Sequence, residues 1–310
     1  MVERKKMGMN MQIRASYGTA LELGLKNGEI KEDTTTAYLM LDGEGKCRGG
    51  CKFCPQSEGR SKWLSRVSWP LFELKSVKKK LCRSDVERIC LQSPDTPNYK
   101  KKLERAVSEL DSLGKPISLS APPLEKETLK SLKDSIERIG IGIDAATDTL
   151  RSEKKPSYQP MVFWDYLGKV VNIYGRGKAT AHIIVGLGED FGELATAVKK
   201  SIEAGAEVSL FPYKNGKDEV DLSYYRRAQL ITSLLEEEMN TKRALQIIFE
   251  QPRKALEMVD EENIFQTRGC PGCNRPYYTS SPGEEHRNFP RKPTVEEIEK
   301  IRRDIIGEDN

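Results

Sequence analysis

The sequence predicts an α/β fold in which about six βα units share one parallel sheet. Three observations lead there. Short apolar, β-prone runs alternate with longer stretches of helical periodicity. Turn residues such as Asp42-Gly43 bound the runs. A glycine-bearing cysteine loop follows the first run directly. At 310 residues the chain suits one large domain, or one domain with extensions, and can bury a sizeable core.

Residues 1–33 read as an N-terminal helical extension, with Ala20-Leu-Glu-Leu-Gly-Leu25 as its apolar face. Residues 34–41 are β-branched and aromatic and predict the first strand. After Trp69-Pro70 a helix runs through Val77 to Leu81. Residues 86–92 are the second apolar run, and 101–113 have helical spacing at Leu103, Ala106, Val107, Leu110 and Leu113. Residues 116–120 are the third run, followed by a helix over 124–139. Residues 140–144 are the fourth, with a helix over 164–173. Residues 179–186 are the fifth, with a helix over 192–204, and 207–211 the sixth, with a helix over 225–239. Residues 34–258 therefore form the expected main domain. Residues 259–310 form a C-terminal extension rich in Gly, Pro and Arg, with two more thiols and a charged helix over 294–306.

Composition narrows the class. Charged residues make up 32% and hydrophobic ones 37%, which suits a globular chain with a heavily charged surface. The richness in Lys and Glu resembles that of thermophile surfaces. A net charge of +4 is too small to imply a nucleic-acid partner. The basic N-terminus lacks the apolar core of a signal peptide, and no apolar run reaches transmembrane length. The expected compartment is the cytoplasm, where thiols stay reduced and free to bind metal.

The chemistry centres on Cys47-Arg-Gly-Gly-Cys51-Lys-Phe-Cys54. Three thiols at CxxxCxxC spacing, with two glycines between the first two, can wrap around one centre, and thiolates are the ligands of iron–sulfur clusters. Three thiolates on a cubane leave one iron open to a substrate or cofactor. Zinc would need a fourth ligand from far away. A disulfide knot is disfavoured by an odd count of seven cysteines. Cys270-Pro-Gly-Cys273 is a second pair, open to reading as half a zinc site, a redox dithiol, a structural turn or part of a second cluster. Cys90 is a candidate further ligand; Cys82 lies nearer the helix side, and Ser280 and Ser281 follow the pair closely. His182, inside an apolar run, reads as a core residue, whereas His286 lies in a charged loop and is a weak candidate ligand. Lys78-Lys-Lys80 and Lys100-Lys-Lys102 are solvated helix faces or docking sites for an acidic protein. With little aromatic interleaving they do not read as a nucleic-acid surface.

The cysteine spacing, with Phe53 before the last thiol, resembles the cluster loop of the radical S-adenosylmethionine enzymes. Over nearly its whole length the chain resembles the biotin synthase group within that superfamily. Cys54-Pro-Gln-Ser-Glu-Gly59 and Thr267-Arg-Gly-Cys-Pro-Gly-Cys-Asn-Arg-Pro-Tyr-Tyr278 are similar to one component of the two-protein, archaeal-type lipoyl synthases. The resemblance implies a partial (β/α)6 TIM-like barrel with its site at the C-terminal strand ends. It implies a [4Fe–4S] cluster on Cys47, Cys51 and Cys54 with S-adenosylmethionine on the open iron, yielding a radical that abstracts hydrogen from unactivated carbon. Phe53 would flank the cofactor. Ser93 and Asp95 would meet the methionine amino group, and Asp144 and Thr147 the ribose, although Asp144 can equally cap the next helix. Gly186 and Gly188 would let backbone approach adenine, with Phe211 stacking on it or walling the substrate. An auxiliary [4Fe–4S] cluster on Cys270 and Cys273, with Cys90 as a further ligand, would donate sulfur. The implied partners are an octanoylated lipoyl carrier domain as substrate, a second radical enzyme and an electron donor such as ferredoxin. A biotin synthase-like enzyme acting on a free small molecule is the alternative. The one-protein lipoyl synthases carry further cysteines before their barrel, and this chain has none before Cys47.

Overall fold

The computed structural model of the chain describes residues 11–307 apart from 31, 44, 216–217, 277 and 282. Its first element is a strand where a helix is predicted: β1, Gln12–Ala15. The helical face shrinks to α1, Tyr17–Glu22, whose first turn is capped by the Ser16 hydroxyl accepting from the Thr19 N–H at 3.2 Å. Residues 1–10 of the predicted extension lie outside the described residues. The predicted first strand is β2, Thr36–Leu41, and β1 pairs with it antiparallel. A 3-10 turn at Pro55–Glu58 leads to a hairpin of β3, Trp63–Leu64, and β4, Val67–Ser68. β5, Leu71–Glu73, then pairs with the other side of β1 and runs into α2, Leu74–Leu81.

From there the predicted alternation holds. β6 is Arg88–Gln92, α3 Tyr99–Asp111, β7 Ile117–Ser120, α4 Lys126–Ser131 and β8 Arg138–Asp144. α5, Asp148–Lys154, and α6, Met161–Tyr174, precede β9, Ala179–Val185, and α7, Phe191–Glu203. β10 is Glu207–Pro212, and a short ribbon of β11, Lys214–Asn215, and β12, Asp218–Glu219, leads to α8, Leu222–Glu236. Three further helices follow: α9, Thr241–Glu250, α10, Pro252–Glu257, and α11, Glu261–Ile264. The last is α12, Val295–Ile306, opened by a capping box between Thr294 and Glu297. The helix predicted over 124–139 ends at Ser131: residues 132–137 are turn and irregular chain, and Arg138 and Ile139 belong to β8, where Ile139 is fully buried opposite Leu119 and Ala179.

Six parallel strands lie side by side in chain order, β2-β6-β7-β8-β9-β10, and β1 and β5 extend the sheet antiparallel beyond β2. β5 and β10 are the two sheet edges, so the barrel is open. Helices cover the outer face of the parallel sheet. Outward side chains such as Leu39, Ile89, Leu119, Ile141, Ile183 and Val208 pack under the helices in one core that also takes Ile298, Ile301 and Ile305 of α12. Alternate residues wall an inner chamber. Among the described residues no helix is long and apolar enough to cross a membrane.

The tail closes the lower end of this barrel. Arg88 and Arg138, the first residues of β6 and β8, donate to the carbonyls of Pro271 and Gly269, each at 3.1 Å. Thr35, just before β2, donates to the Gly272 carbonyl at 2.5 Å. The Cys270–Cys273 turn is thereby fixed across the N-terminal ends of the strands.

Candidate active site

The chamber has a volume of about 610 Å³. Its upper wall is the cysteine loop after β2. The Cys47 N–H donates to the Gln56 carbonyl at 3.1 Å, the Arg48 N–H to the Asp95 carbonyl at 2.8 Å, and the Lys52 N–H to the Lys154 carbonyl at 2.9 Å. The loop is thus tied to its own 3-10 turn, to the end of β6 and to the end of α5. Gly49 is needed for close approach: a Cβ there would lie 3.4 Å from Cys47 Sγ, 3.6 Å from Cys51 Sγ and 3.5 Å from the Tyr158 ring. Two sulfurs therefore face one shared point. Burial pushes the Cys51 thiol up to about 12, with Lys155 opposing, and the Cys54 thiol up to about 11. Thiols held neutral by a dry site become thiolates when iron binds them. Facing sulfurs, a bare glycine and an N–H donor to Cys47 Sγ at 3.3 Å fit an iron–sulfur cluster. As placed, no group of three or more His, Cys, Asp or Glu among the described residues is drawn in tightly enough for one metal ion. A cubane spreads its thiolates over separate irons, so they stand farther apart than the ligands of a single ion.

Three more thiols line the same chamber lower down: Cys90 on β6, and Cys270 and Cys273 from the tail. Burial is the main force raising the Cys90 thiol, followed by Cys270 and Cys273, so the three lie within electrostatic reach of one another. Tyr38 Oη lies 3.4 Å from Cys273 Sγ and accepts from the Arg275 N–H at 2.8 Å. The Arg275 guanidinium sits 4.5 Å over the Phe211 ring and donates to Ser209 Oγ at 2.8 Å. Cys82 is exposed at the end of α2. Ser280 is buried but accepts from the Arg287 N–H, and neither it nor Ser281 lines the chamber.

Phe53, Ser93, Asp95, Asp144 and Phe211 line the chamber with the cysteine loop; Thr147, Gly186 and Gly188 do not. Asp144 follows a bulge at the end of β8 in the left-handed region, φ +57°, which turns its carboxylate toward Lys155 Nζ at 2.7 Å. Thr147, not Asp144, caps α5, accepting from the Leu150 N–H at 3.2 Å. Gly186 backs onto Val220, where an added Cβ would come within 2.6 Å. The Glu189 carboxylate accepts from the N–H groups of Gly186 and Leu187 and fixes that turn.

His182 departs from the core reading. It faces the chamber, its ring edge-on to Phe211 at 5.2 Å, and burial holds its imidazole neutral, with the pKa lowered to about 4. The apolar run Ala181-His-Ile-Ile-Val185 hides this orientation, because His182 alternates with outward core residues and its inner-face neighbours Gly142 and Ser209 lie on other strands. Lys155 and Tyr158 carry no signal in the sequence either. They lie in Lys-Lys-Pro-Ser-Tyr between two helices, with nothing local to distinguish them from a surface loop. His286 lies away from the chamber lining, packed on Phe289 at 5.4 Å. The lysine runs are partly neutralised, Lys78 by Glu109 and Lys100 by Glu125, each at 2.5 Å.

A thiol loop at the C-terminal strand ends of an open α/β barrel defines an enzyme class that binds its cofactor on a cluster with one open iron. The chain matches the Radical SAM superfamily over residues 45–200 and belongs to it. With membership comes a [4Fe–4S] cluster that binds S-adenosylmethionine. Streptococcus suis SuiB bound to S-adenosylmethionine is similar in structure at a TM-score of 0.48 and 13% identity, over 66% of this chain and 44% of that one. The chain thus spans less than half the length of that protein. TYW1 with a lysine-pyruvate adduct bound is similar at a TM-score of 0.45 and 13% identity, over 72% of this chain and 81% of that one. No curated protein matches the chain.

Proposed function

We propose that the chain is a sulfur-inserting radical enzyme, one component of a two-protein lipoyl synthase acting on an octanoyl-lysine carrier domain. The observation that carries this reading is the second thiol set, Cys90, Cys270 and Cys273, in the same chamber as Cys47, Cys51 and Cys54. Clusters bound at the two sets would supply radical hydrogen abstraction above and sulfur below. The chain's own residues do the rest. Asp144, held by Lys155, offers a carboxylate to the cofactor at the upper end, beside Phe53 and Ser93. Phe211, Tyr38 and Tyr278 wall the space between the thiol sets and keep water out. A cytoplasmic setting suits thiols that must stay reduced.

Docking of the acidic carrier falls to the chamber mouth rather than the lysine runs. Lys52 lines it and is exposed, Lys46 and Lys62 are exposed next to the lining residues Cys47 and Trp63, and Trp63 on the hairpin is 47% exposed. A second radical enzyme and a ferredoxin-type electron donor complete the proposed system. One observation favours the alternative of a free small-molecule substrate: Ser118, Ser120, His182 and Ser209 place polar groups on an otherwise largely apolar chamber wall. An assay on an octanoylated carrier peptide with S-adenosylmethionine and reductant separates the two. The proposal expects 5′-deoxyadenosine formation coupled to sulfur in the peptide. 5′-Deoxyadenosine released only with free polar metabolites, and no peptide sulfur, would establish the alternative.

A further inference from the structure

We infer that Asp95, Arg48 and Tyr158 form a clasp that holds the Cys47 sulfur in place. In this arrangement Asp95 acts on the cluster loop and does not bind the cofactor's amino group. Asp95 is engaged at every polar atom. Its N–H donates to Cys47 Sγ at 3.3 Å, and its carbonyl accepts from the Arg48 N–H at 2.8 Å. Its Oδ1 accepts from Arg48 Nε at 3.1 Å and Arg48 Nη2 at 2.5 Å. Its Oδ2 accepts from Tyr158 Oη at 2.7 Å.

The geometry joins three segments far apart in sequence. Arg48 sits inside the cysteine loop, Asp95 at the end of β6, and Tyr158 between α5 and α6. Tyr158 is itself fixed, its ring edge-on to Phe163 at 5.2 Å and against the bare Gly49. A carboxylate with both oxygens taken by an arginine and a tyrosine has little left to offer an ammonium group. What it does offer is orientation, because fixing the carboxylate fixes the backbone N–H aimed at sulfur.

A hydrogen bond to a cluster sulfur stabilises the reduced, more negative state, and such bonds set cluster potentials. Arg48 and Tyr158 are therefore positioning residues, acting through Asp95. The test measures the midpoint potential of the reconstituted cluster without S-adenosylmethionine, the rate of iron loss to a chelator, and S-adenosylmethionine affinity. Tyr158→Phe deletes one bond and keeps all charges; Arg48→Met is the second variant, at a side chain 60% exposed. The clasp predicts a more negative potential and several-fold faster iron loss in both variants, with S-adenosylmethionine affinity within twofold of wild type. In an Asp95→Asn background the effect of Tyr158→Phe should shrink. An unchanged potential would overturn the inference, whether affinity falls tenfold, which would make Asp95 a cofactor ligand, or nothing changes. The readouts precede substrate, so they stand apart from the sulfur-insertion reading.

Discussion

His182 shows what burial does to a single group. An added Cβ at Gly140 would lie 2.6 Å from its Cε1, so the ring occupies the space left by a bare strand residue. Burial lowers its pKa from 6.5 to about 4. Between those values the unfolded chain binds a proton that the folded chain excludes. This group therefore costs stability as pH falls from 6.5 toward 4, and has no effect above 6.5. The full loss is about 3 kcal/mol. His182→Gln should flatten that part of an acid denaturation curve, and an unchanged slope would show that the imidazole is not desolvated. Lys155 is a second single-residue case. Its side chain is 5% exposed, its Nζ is 2.7 Å from Asp144, and it lies 3.5 Å over the Phe163 ring. Lys155→Met leaves the part-buried Asp144 carboxylate unpaired and should cost about 1–3 kcal/mol in denaturant unfolding.

At the scale of elements, the tail depends on the strand ends it closes. Arg88→Met frees the Pro271 carbonyl, at a cost of about 1–3 kcal/mol. In the metal-free protein, alkylation of Cys270 and Cys273 should then rise roughly tenfold, with Cys54 unaffected. Equal labelling of wild type and variant would show that the arginine does not fix the turn. The parallel strands and the helices over them were legible because β-branched runs and 3.6-residue periodicity are local. Gln12–Ala15 was not, since four residues that become a strand only by pairing with β2 and β5 carry no period. The start of β8 was hidden for a related reason. Arg138-Ile139 continues the helical spacing, and its place in β8 follows from pairing with β7 and β9 and from the tail's need for Arg138. The cysteine loop was legible because its chemistry lies in spacing. The side chains that support it, Lys155 and Tyr158, come from another segment and become visible only when α5 docks.

For the whole molecule, the mouth charges predict salt dependence. The KM for an octanoylated carrier domain should rise several-fold between low and physiological salt, with kcat little changed. Lys46→Glu with Lys62→Glu should raise KM by about tenfold at low salt. A salt-independent KM would remove the docking role. The central claim is that one chamber holds two cluster sites at its two ends. Iron and acid-labile sulfide after anaerobic reconstitution test it most directly. Wild type is compared with two variants, Cys47/Cys51/Cys54→Ala and Cys90/Cys270/Cys273→Ala. Two cubane sites predict about eight irons in wild type and about four in each variant. About four irons in wild type, none without the upper thiols and no loss without the lower ones would contradict the claim and leave the lower thiols without a cluster.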